Sequence, residues 1–184
     1  MILFVDACVR DESRTKRLAN EVLSRLKGDV KTVKLKDEKF EVTDQDYLKK
    51  RDELIAKREF DSEMFALARD FKEADQIVIA APYWDLSFPA MLKQYIEHIN
   101  VLGITFEYTK EGTPVGLCKA DRLYYVMTAG GAFVPEEYGF GYVKVLAQSF
   151  YGIDNVKLIK AVGLDIYGAD VDQIMNKAIR GINL

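Results

Sequence analysis

Histidine and cysteine are the scarcest reactive side chains in this chain of 184 residues, with one of the first and two of the second. Two cysteines, Cys8 and Cys118, give no disulfide framework, and each reads as a small buried or half-buried thiol. The lone histidine, His98, falls on a helical stretch, where a surface or interface role is commoner than catalysis. No metal site follows from so few ligands. Basic charge is not in excess either: 26 Lys and Arg stand against 29 Asp and Glu, net −3, so there is no positive field to draw nucleic acid. No apolar run approaches the roughly 20 residues that span a bilayer, which excludes a membrane helix. Met1 leads straight into a strand without a charged region and cleavage site, so no signal peptide is read and a cytoplasmic location is the expectation. Glycine is missing from the first strand-to-helix turn, Asp6 to Thr15. That excludes both a Walker loop and a G-x-G-x-x-G dinucleotide turn, which need glycine for backbone approach to phosphate.

What is present is an ordinary globular composition, 49% hydrophobic and 30% charged. A chain this long buries roughly 70% of its unfolded surface, and one domain over residues 1–184 is expected. Strand and helix patterns alternate. Strands are read at Ile2–Val5, Val30–Leu35, Ile77–Ala81, Arg122–Met127 and Val156–Val162. Helices are read at Ser13–Leu26, Gln45–Lys57, Ser62–Lys72, after Pro89, at Glu136–Tyr151 and at Asp170–Ile182. The third strand, Ile77-Val78-Ile79-Ala80-Ala81, is apolar on both faces, as a central strand of a covered parallel sheet must be. The alternation predicts an α/β fold: a doubly wound five-stranded parallel sheet, order 2-1-3-4-5, with helices on both faces and right-handed crossovers. In such sheets ligands settle beyond the carboxyl ends of the strands.

Three turns open at that edge. The first holds Arg10, Ser13, Arg14 and Thr15 at a helix N-terminus, where free N–H groups and the positive end of the dipole suit a phosphate monoester. Ser13 is equally a good helix cap, with Arg10 and Arg14 simply solvated. The second runs Pro82-Tyr83-Trp84-Asp85-Leu86. Pro82 stops the strand, and two large aromatics follow where a solvent loop would be small and polar. They either pack in the core or an interface, or lie against something flat. The third is Thr128-Ala129-Gly130-Gly131, whose paired glycines either serve a turn needing positive φ or let the backbone lie flat against a ligand with its N–H groups exposed.

The pattern Pro82-Tyr83-Trp84-Asp85-Leu86, then Pro89 and Leu92-Lys93, resembles the flavin-binding segment of the flavodoxin-like NAD(P)H:quinone reductase and FMN-dependent azoreductase family. Gly103-Ile104-Thr105-Phe106-Glu107-Tyr108, followed by Gly116-Leu117 and Lys119, is similar to that family's G-x-T-F-x-Y and G-L-x-x-K pattern. The likeness covers nearly the whole chain, more weakly between Lys36 and Glu73. It implies FMN as cofactor, NADH or NADPH as electron donor, and a ping-pong transfer to quinones, azo compounds or nitroaromatics. It further implies that Ser13, Arg14 and Thr15, with Arg10, meet the FMN phosphate. Pro82 to Leu86 would wall the ring, Thr128 to Gly131 would meet its pyrimidine side, and Phe133 and Tyr138 would lie near the substrate. The chemistry would sit on the cofactor, with no catalytic side chain, and the molecule would be a homodimer. Two positions depart from the pattern: Asp85 stands where many relatives carry asparagine, and Ala129 where the azoreductase branch often has arginine.

Other functions fit the same pattern of elements. A flavodoxin-type electron carrier shares the sheet and the FMN, though the Gly103–Tyr108 excursion argues against it. A cofactor-free interaction module is compatible with the patterning, because fold does not fix function. A signalling receiver domain is not, since it needs an aspartate at the end of the third strand and a lysine after the fifth, where this chain has Ala81-Pro82 and Val162-Gly163.

Overall fold

A computed structural model describes residues 1–184. Five strands form one parallel sheet: β1 (Ile2–Asp6), β2 (Val30–Lys34), β3 (Gln76–Ala80), β6 (Arg122–Thr128) and β7 (Asn155–Ala161). Its order is β2-β1-β3-β6-β7. Numbered among the parallel strands alone, that is 2-1-3-4-5, as the alternation of elements predicts. Two further strands, β4 (Phe106–Tyr108) and β5 (Pro114–Gly116), pair antiparallel as a separate hairpin at the Gly103–Tyr108 excursion.

The helices are α1 (Arg14–Leu23), α2 (Gln45–Ala56), α3 (Ala66–Glu73), α4 (Ala90–Ile99), α5 (Phe140–Leu146) and α6 (Val171–Arg180). Strand residues alternate between two apolar clusters, one on each side of the sheet. Leu3, Val5, Ile77, Ile79, Leu123, Tyr125 and Met127 join Phe71, Leu92, Tyr95 and Val143 on the side of α3, α4 and α5. Ile2, Phe4, Val78, Ala80, Tyr124 and Val126 join Leu18, Val22 and Met175 on the side of α1 and α6. Both faces are covered, and this is why the third strand carries no polar residue between Ile77 and Ala81. The charged α2 buries only Tyr47, so its Lys, Arg, Asp and Glu face solvent. No helix is long and apolar enough to cross a membrane.

Two helices depart from the sequence reading. The stretch Glu136–Tyr151 does not run as one helix: Glu136 to Gly139 form a turn and the helix starts at Phe140. The N–H of Gly141 reaches back to the carbonyl of Glu136 at 2.6 Å, and a Cβ on Gly141 would stand only 3.0 Å from that oxygen. After Leu146 the winding widens to a π-helix over Ala147–Tyr151, ending at Gly152 with φ +73°. That widened turn presses on the hairpin so closely that a Cβ on Gly116 would lie 2.1 Å from Gly152 N. In α6, Met175 alone of the expected inward residues is fully buried, while Val171, Ile174, Ala178 and Ile179 are partly covered. α6 packs over β7, an edge strand, and has neighbours on one side only.

Candidate active site

The carboxyl ends of β1, β3 and β6 lie side by side, in registered contact at Asp6, Ala80 and Val126. The loops that leave them build a cleft. At its base Asp6 is a buried carboxylate, 2% exposed, at the last position of β1. It accepts the Cys8 N–H at 3.0 Å and pairs with Lys16 Nζ at 2.8 Å, tying the loop that follows β1 to the first turn of α1. Ser13 caps α1, its hydroxyl accepting the Lys16 N–H at 3.2 Å. Through this loop and the first turn of the helix, none of the N–H groups from Val9 to Thr15 donates to a protein acceptor. Such a row of unpaired donors at a helix N-terminus is an anion cradle.

The loop after β3 is held to β6 from below, with the Ala81 N–H on Val126 O at 2.9 Å and the Tyr83 N–H on Thr128 O at 3.0 Å. Trp84 and Ser87 then pair with each other through two main-chain hydrogen bonds, 3.1 and 2.7 Å, around Asp85 and Leu86. Both turn residues are left-handed, φ +50° and +67°. Two such residues in succession close a tight two-residue hairpin, at a steric cost that glycine would avoid. The Tyr83 hydroxyl donates to Pro135 O at 3.0 Å and Ser87 Oγ to Tyr138 O at 2.8 Å, so the segment 135–138 is clamped against this loop. Burial, and then the nearby carboxylate of Glu137, pushes the Tyr83 phenol above its ordinary value. It therefore stays protonated at neutral pH, with its proton committed to Pro135.

The loop after β6 is bound to the one after β7. The carbonyls of Ala129, Gly130 and Gly131 accept from Leu164, Asp165 and Gly163 at 3.2, 3.0 and 2.9 Å. With those carbonyls turned to one side, the N–H groups of Gly130 and Gly131 have no protein acceptor. Neither glycine has a positive φ, which removes the turn-geometry reason for them. At Gly130 a Cβ would lie 2.3 Å from Asp165 Oδ2, the tip of an exposed side chain that can move aside; at Gly131 a Cβ would meet nothing within 4 Å. The loops after β1 and β6 are joined by a hydrogen bond of 2.7 Å between the buried hydroxyls of Thr15 and Thr128.

These loops enclose a cavity of about 250 Å³. Of the residues singled out from sequence, Arg10, Ser13, Arg14, Thr15, Pro82, Tyr83, Trp84, Thr128, Ala129 and Gly130 line it. Asp85 and Leu86 do not; they form the hairpin tip, so the Asp85 carboxylate stays outside the wall. Gly131, Phe133 and Tyr138 are also outside the lining, the last two standing 81% and 62% exposed. Val9, Glu12, Leu164 and Asp165 line the cavity without having been expected. Leu164 and Asp165 share the third loop's signal, since the turn after the fifth strand opens at the same edge. Arg14 Nη1 donates to Asp165 Oδ1 at 2.7 Å, whereas Arg10 has no ion-pair partner.

Chemically the cleft offers an anion cradle at one end, an aromatic wall along the middle, and main-chain donors opposite. It brings together no nucleophile with a general base. Cys8 is the nearest thiol, but burial is the largest cause raising its pKa to about 12. A larger groove of about 740 Å³ follows the free edge of β7 beneath α6 and includes Lys157, Lys160 and Lys177. Lysines on an edge strand discourage strand addition, and no acid, hydroxyl or thiol joins them there.

A family model described as a flavodoxin-like fold matches residues 1–183. The FMN-dependent NADH:quinone oxidoreductase of Clostridium perfringens (strain ATCC 13124) is 32% identical over 190 residues, covering 97% of this chain and 93% of that protein. FMN-dependent NADH:quinone oxidoreductase 2 of Clostridium acetobutylicum is 43% identical over 124 residues. That match takes in 65% of this chain and 61% of the relative, so it spans about three-fifths of that protein's length. Among solved structures, azoreductase AzrA superposes with a TM-score of 0.80 at 26% identity, over 97% of this chain and 95% of its own. An azoreductase from Bacillus anthracis superposes with a TM-score of 0.83 at 24% identity, over 97% and 94%, a likeness of fold.

Proposed function

The chain belongs to the flavodoxin-like family that includes the FMN-dependent NADH:quinone oxidoreductases, and from that membership we propose that it is an FMN-dependent oxidoreductase passing electrons from NADH to quinone or azo acceptors. One observation carries the reading: the unpaired N–H row from Val9 to Thr15 shares a single cavity with Tyr83, Trp84 and Gly130. A phosphorylated, flat, hydrogen-bonding ligand answers all of these features at once.

The residues fit FMN. The row of N–H groups and the Ser13 and Thr15 hydroxyls would hold the phosphate, with Arg10 supplying an unpaired positive charge. Pro82, Tyr83 and Trp84 would flank the ring system, and the N–H groups of Gly130 and Gly131 would serve its pyrimidine edge. Bound there, FMN supplies the two-electron centre between donor and acceptor, which is work that side chains cannot do. What the chain contributes is position and electrostatics. Donors fixed to the main chain stabilise negative charge that develops on the ring edge, without reorganising when it appears. Tyr83 acts as a strut, not an acid: its hydroxyl holds the 135–138 segment, and its N–H holds the loop to Thr128. Donor and acceptor taking the same place in the cleft in turn would give ping-pong kinetics. NADPH and nitroaromatic compounds are further substrates that such an open cleft admits.

Exposed apolar residues concentrate at the same rim: Val9, Trp84, Leu86, Phe133, Tyr138, Ile166 and Tyr167. A patch of this kind suits a partner surface, and a second copy of the chain would cover it and complete the site. The two free thiols suit a reducing compartment such as the cytoplasm.

Trp84 is the only tryptophan and lines the cavity, so titration with FMN should quench its fluorescence with saturation at one equivalent per chain. The loaded protein should then oxidise NADH with menadione, giving parallel double-reciprocal lines as the acceptor varies. A protein that takes up no FMN at high micromolar concentration overturns the proposal. One that binds FMN without turning over NADH is an electron carrier instead.

A further inference from the structure

We propose that Asp165, in the loop after β7, is a positioning residue for the phosphate end of the cleft, acting through Arg14. The inference rests on the FMN reading above and concerns a residue to which neither sequence pattern nor family likeness gives a role.

Asp165 makes three contacts that together span the cavity. Its Oδ1 accepts from Arg14 Nη1 at 2.7 Å. Its N–H donates to Gly130 O at 3.0 Å. Its Oδ2 lies so close over Gly130 that a Cβ there would be 2.3 Å away. One exposed carboxylate thus bridges the first turn of α1 and the loop after β6, with Arg14, Gly130 and Asp165 all lining the cavity. Arg14 is 44% exposed in its side chain, and its length gives it several rotamers to lose before it can meet an anion. Fixing one nitrogen of the guanidinium fork removes much of that freedom in advance and leaves the remaining N–H groups to point at the phosphate. The alternative, that Asp165 competes with the phosphate for Arg14, makes the opposite forecast for every variant below.

The pair is exposed, so its effect is modest, on the order of threefold in affinity. Dissociation constants for FMN and for riboflavin, which lacks the phosphate, are measured on the full chain through Trp84 fluorescence. Asp165→Ala should weaken FMN about threefold and leave riboflavin unchanged, because Arg14 acts on the phosphate alone. Asp165→Asn keeps an oxygen acceptor for Arg14 and should recover most of the loss. Gly130→Ala puts a methyl where Asp165 Oδ2 stands, so whatever FMN affinity it costs through Arg14 should be lost with Asp165 in place and much less in the Asp165→Ala background. FMN bound equally or more tightly by Asp165→Ala overturns the proposal, as does an equal loss for riboflavin. Wild-type protein that binds neither flavin overturns the FMN reading itself, a result distinct from wild-type binding that Asp165→Ala leaves unmoved.

Discussion

The Thr15 and Thr128 hydroxyls make the sharpest test of how the cleft is built. They sit 2.7 Å apart, in residues only 1% and 9% exposed, one on the first turn of α1 and the other at the end of β6. Two hydroxyls bring two protons, and one of these lies between the oxygens. The accepting hydroxyl keeps its own proton, and that proton is what the pair can offer a ligand. Valine has nearly the shape of threonine, so Thr15→Val leaves the Thr128 hydroxyl buried and unpaired, and Thr128→Val does the same to Thr15. An unpaired buried hydroxyl costs about 1–3 kcal/mol. Each single variant should therefore lose about 1–2 kcal/mol, which for a chain of this size lowers Tm by about 2–8 °C. With both replaced there is no orphan, and the double variant should lose less than the sum of the singles by about 1 kcal/mol or more. Urea unfolding of the cofactor-free protein, followed by circular dichroism with unchanged m-values, reads these differences. FMN affinity should behave otherwise. The double variant has no hydroxyl proton left to give and should bind about 2–12-fold more weakly, the worth of one ordinary hydrogen bond. Strictly additive stability losses would refute the pairing, and unchanged FMN affinity in the double variant would refute the donor role.

Two further outcomes follow from the same physics. Burial raises the thiols of Cys8 and Cys118 from 9.0 to about 12, so the folded protein holds protons that the unfolded chain has released across that range. Stability should be full below pH 9 and fall as pH rises towards 12, by up to about 1.4 kcal/mol per pH unit for each thiol. The buried Cys8 should resist a thiol-reactive dye at pH 8 until the chain is unfolded, with the half-buried Cys118 the faster of the two, and a fast reaction of Cys8 in the native protein contradicts its burial. Leu86, with φ +67°, carries the left-handed penalty of about 1–2 kcal/mol, which glycine escapes at some cost in unfolded-state entropy. Leu86→Gly should raise Tm by about 2–4 °C, and a lower Tm would mean that the Leu86 side chain contributes more than its backbone costs.

Much of the framework was legible because the physics that fixes it leaves periodic marks. A strand covered on both faces must be apolar throughout, and Ile77 to Ala81 could hardly be read otherwise. Pro82 ends that strand and opens a loop at the ligand edge, so the cleft's location followed from topology. What stayed hidden has no period. Asp165 is one acidic residue in a turn otherwise made of Gly163, Leu164, Ile166, Tyr167 and Gly168, and its proposed role comes from Arg14, distant in sequence and 2.7 Å away in space. The paired glycines suited either a turn of positive φ or a backbone lying flat with its N–H groups exposed; φ at Gly130 is ordinary and its N–H has no protein acceptor. The Glu136-Glu137 pair resembles a helix's first turn, but Gly141 draws its N–H onto the Glu136 carbonyl and delays the helix to Phe140. Leu86 carries no turn signal at all, and only the Trp84–Ser87 pairing forces its conformation.

The polar groups that this cleft offers a ligand are mainly backbone. The N–H groups from Val9 to Thr15, with those of Gly130 and Gly131, depend on the path of the chain and not on what the side chains are. Path is governed by a few side-chain contacts, some of them made by lining residues themselves: Asp6 and Lys16 under the first loop, Thr15 bonded to Thr128, and Tyr83 fastened to Thr128 and Pro135. Substituting a cradle residue whose side chain makes no such contact, such as Arg10, therefore leaves the N–H donors in place. Substituting a residue beneath it moves several donors together. A site so made tolerates wide change in the residues that line it, provided the supports keep the loops in register. It also directs mutagenesis to the supports. Loss of Asp6, which does not line the cavity, should disturb the anion cradle more than loss of the exposed Arg10 inside it.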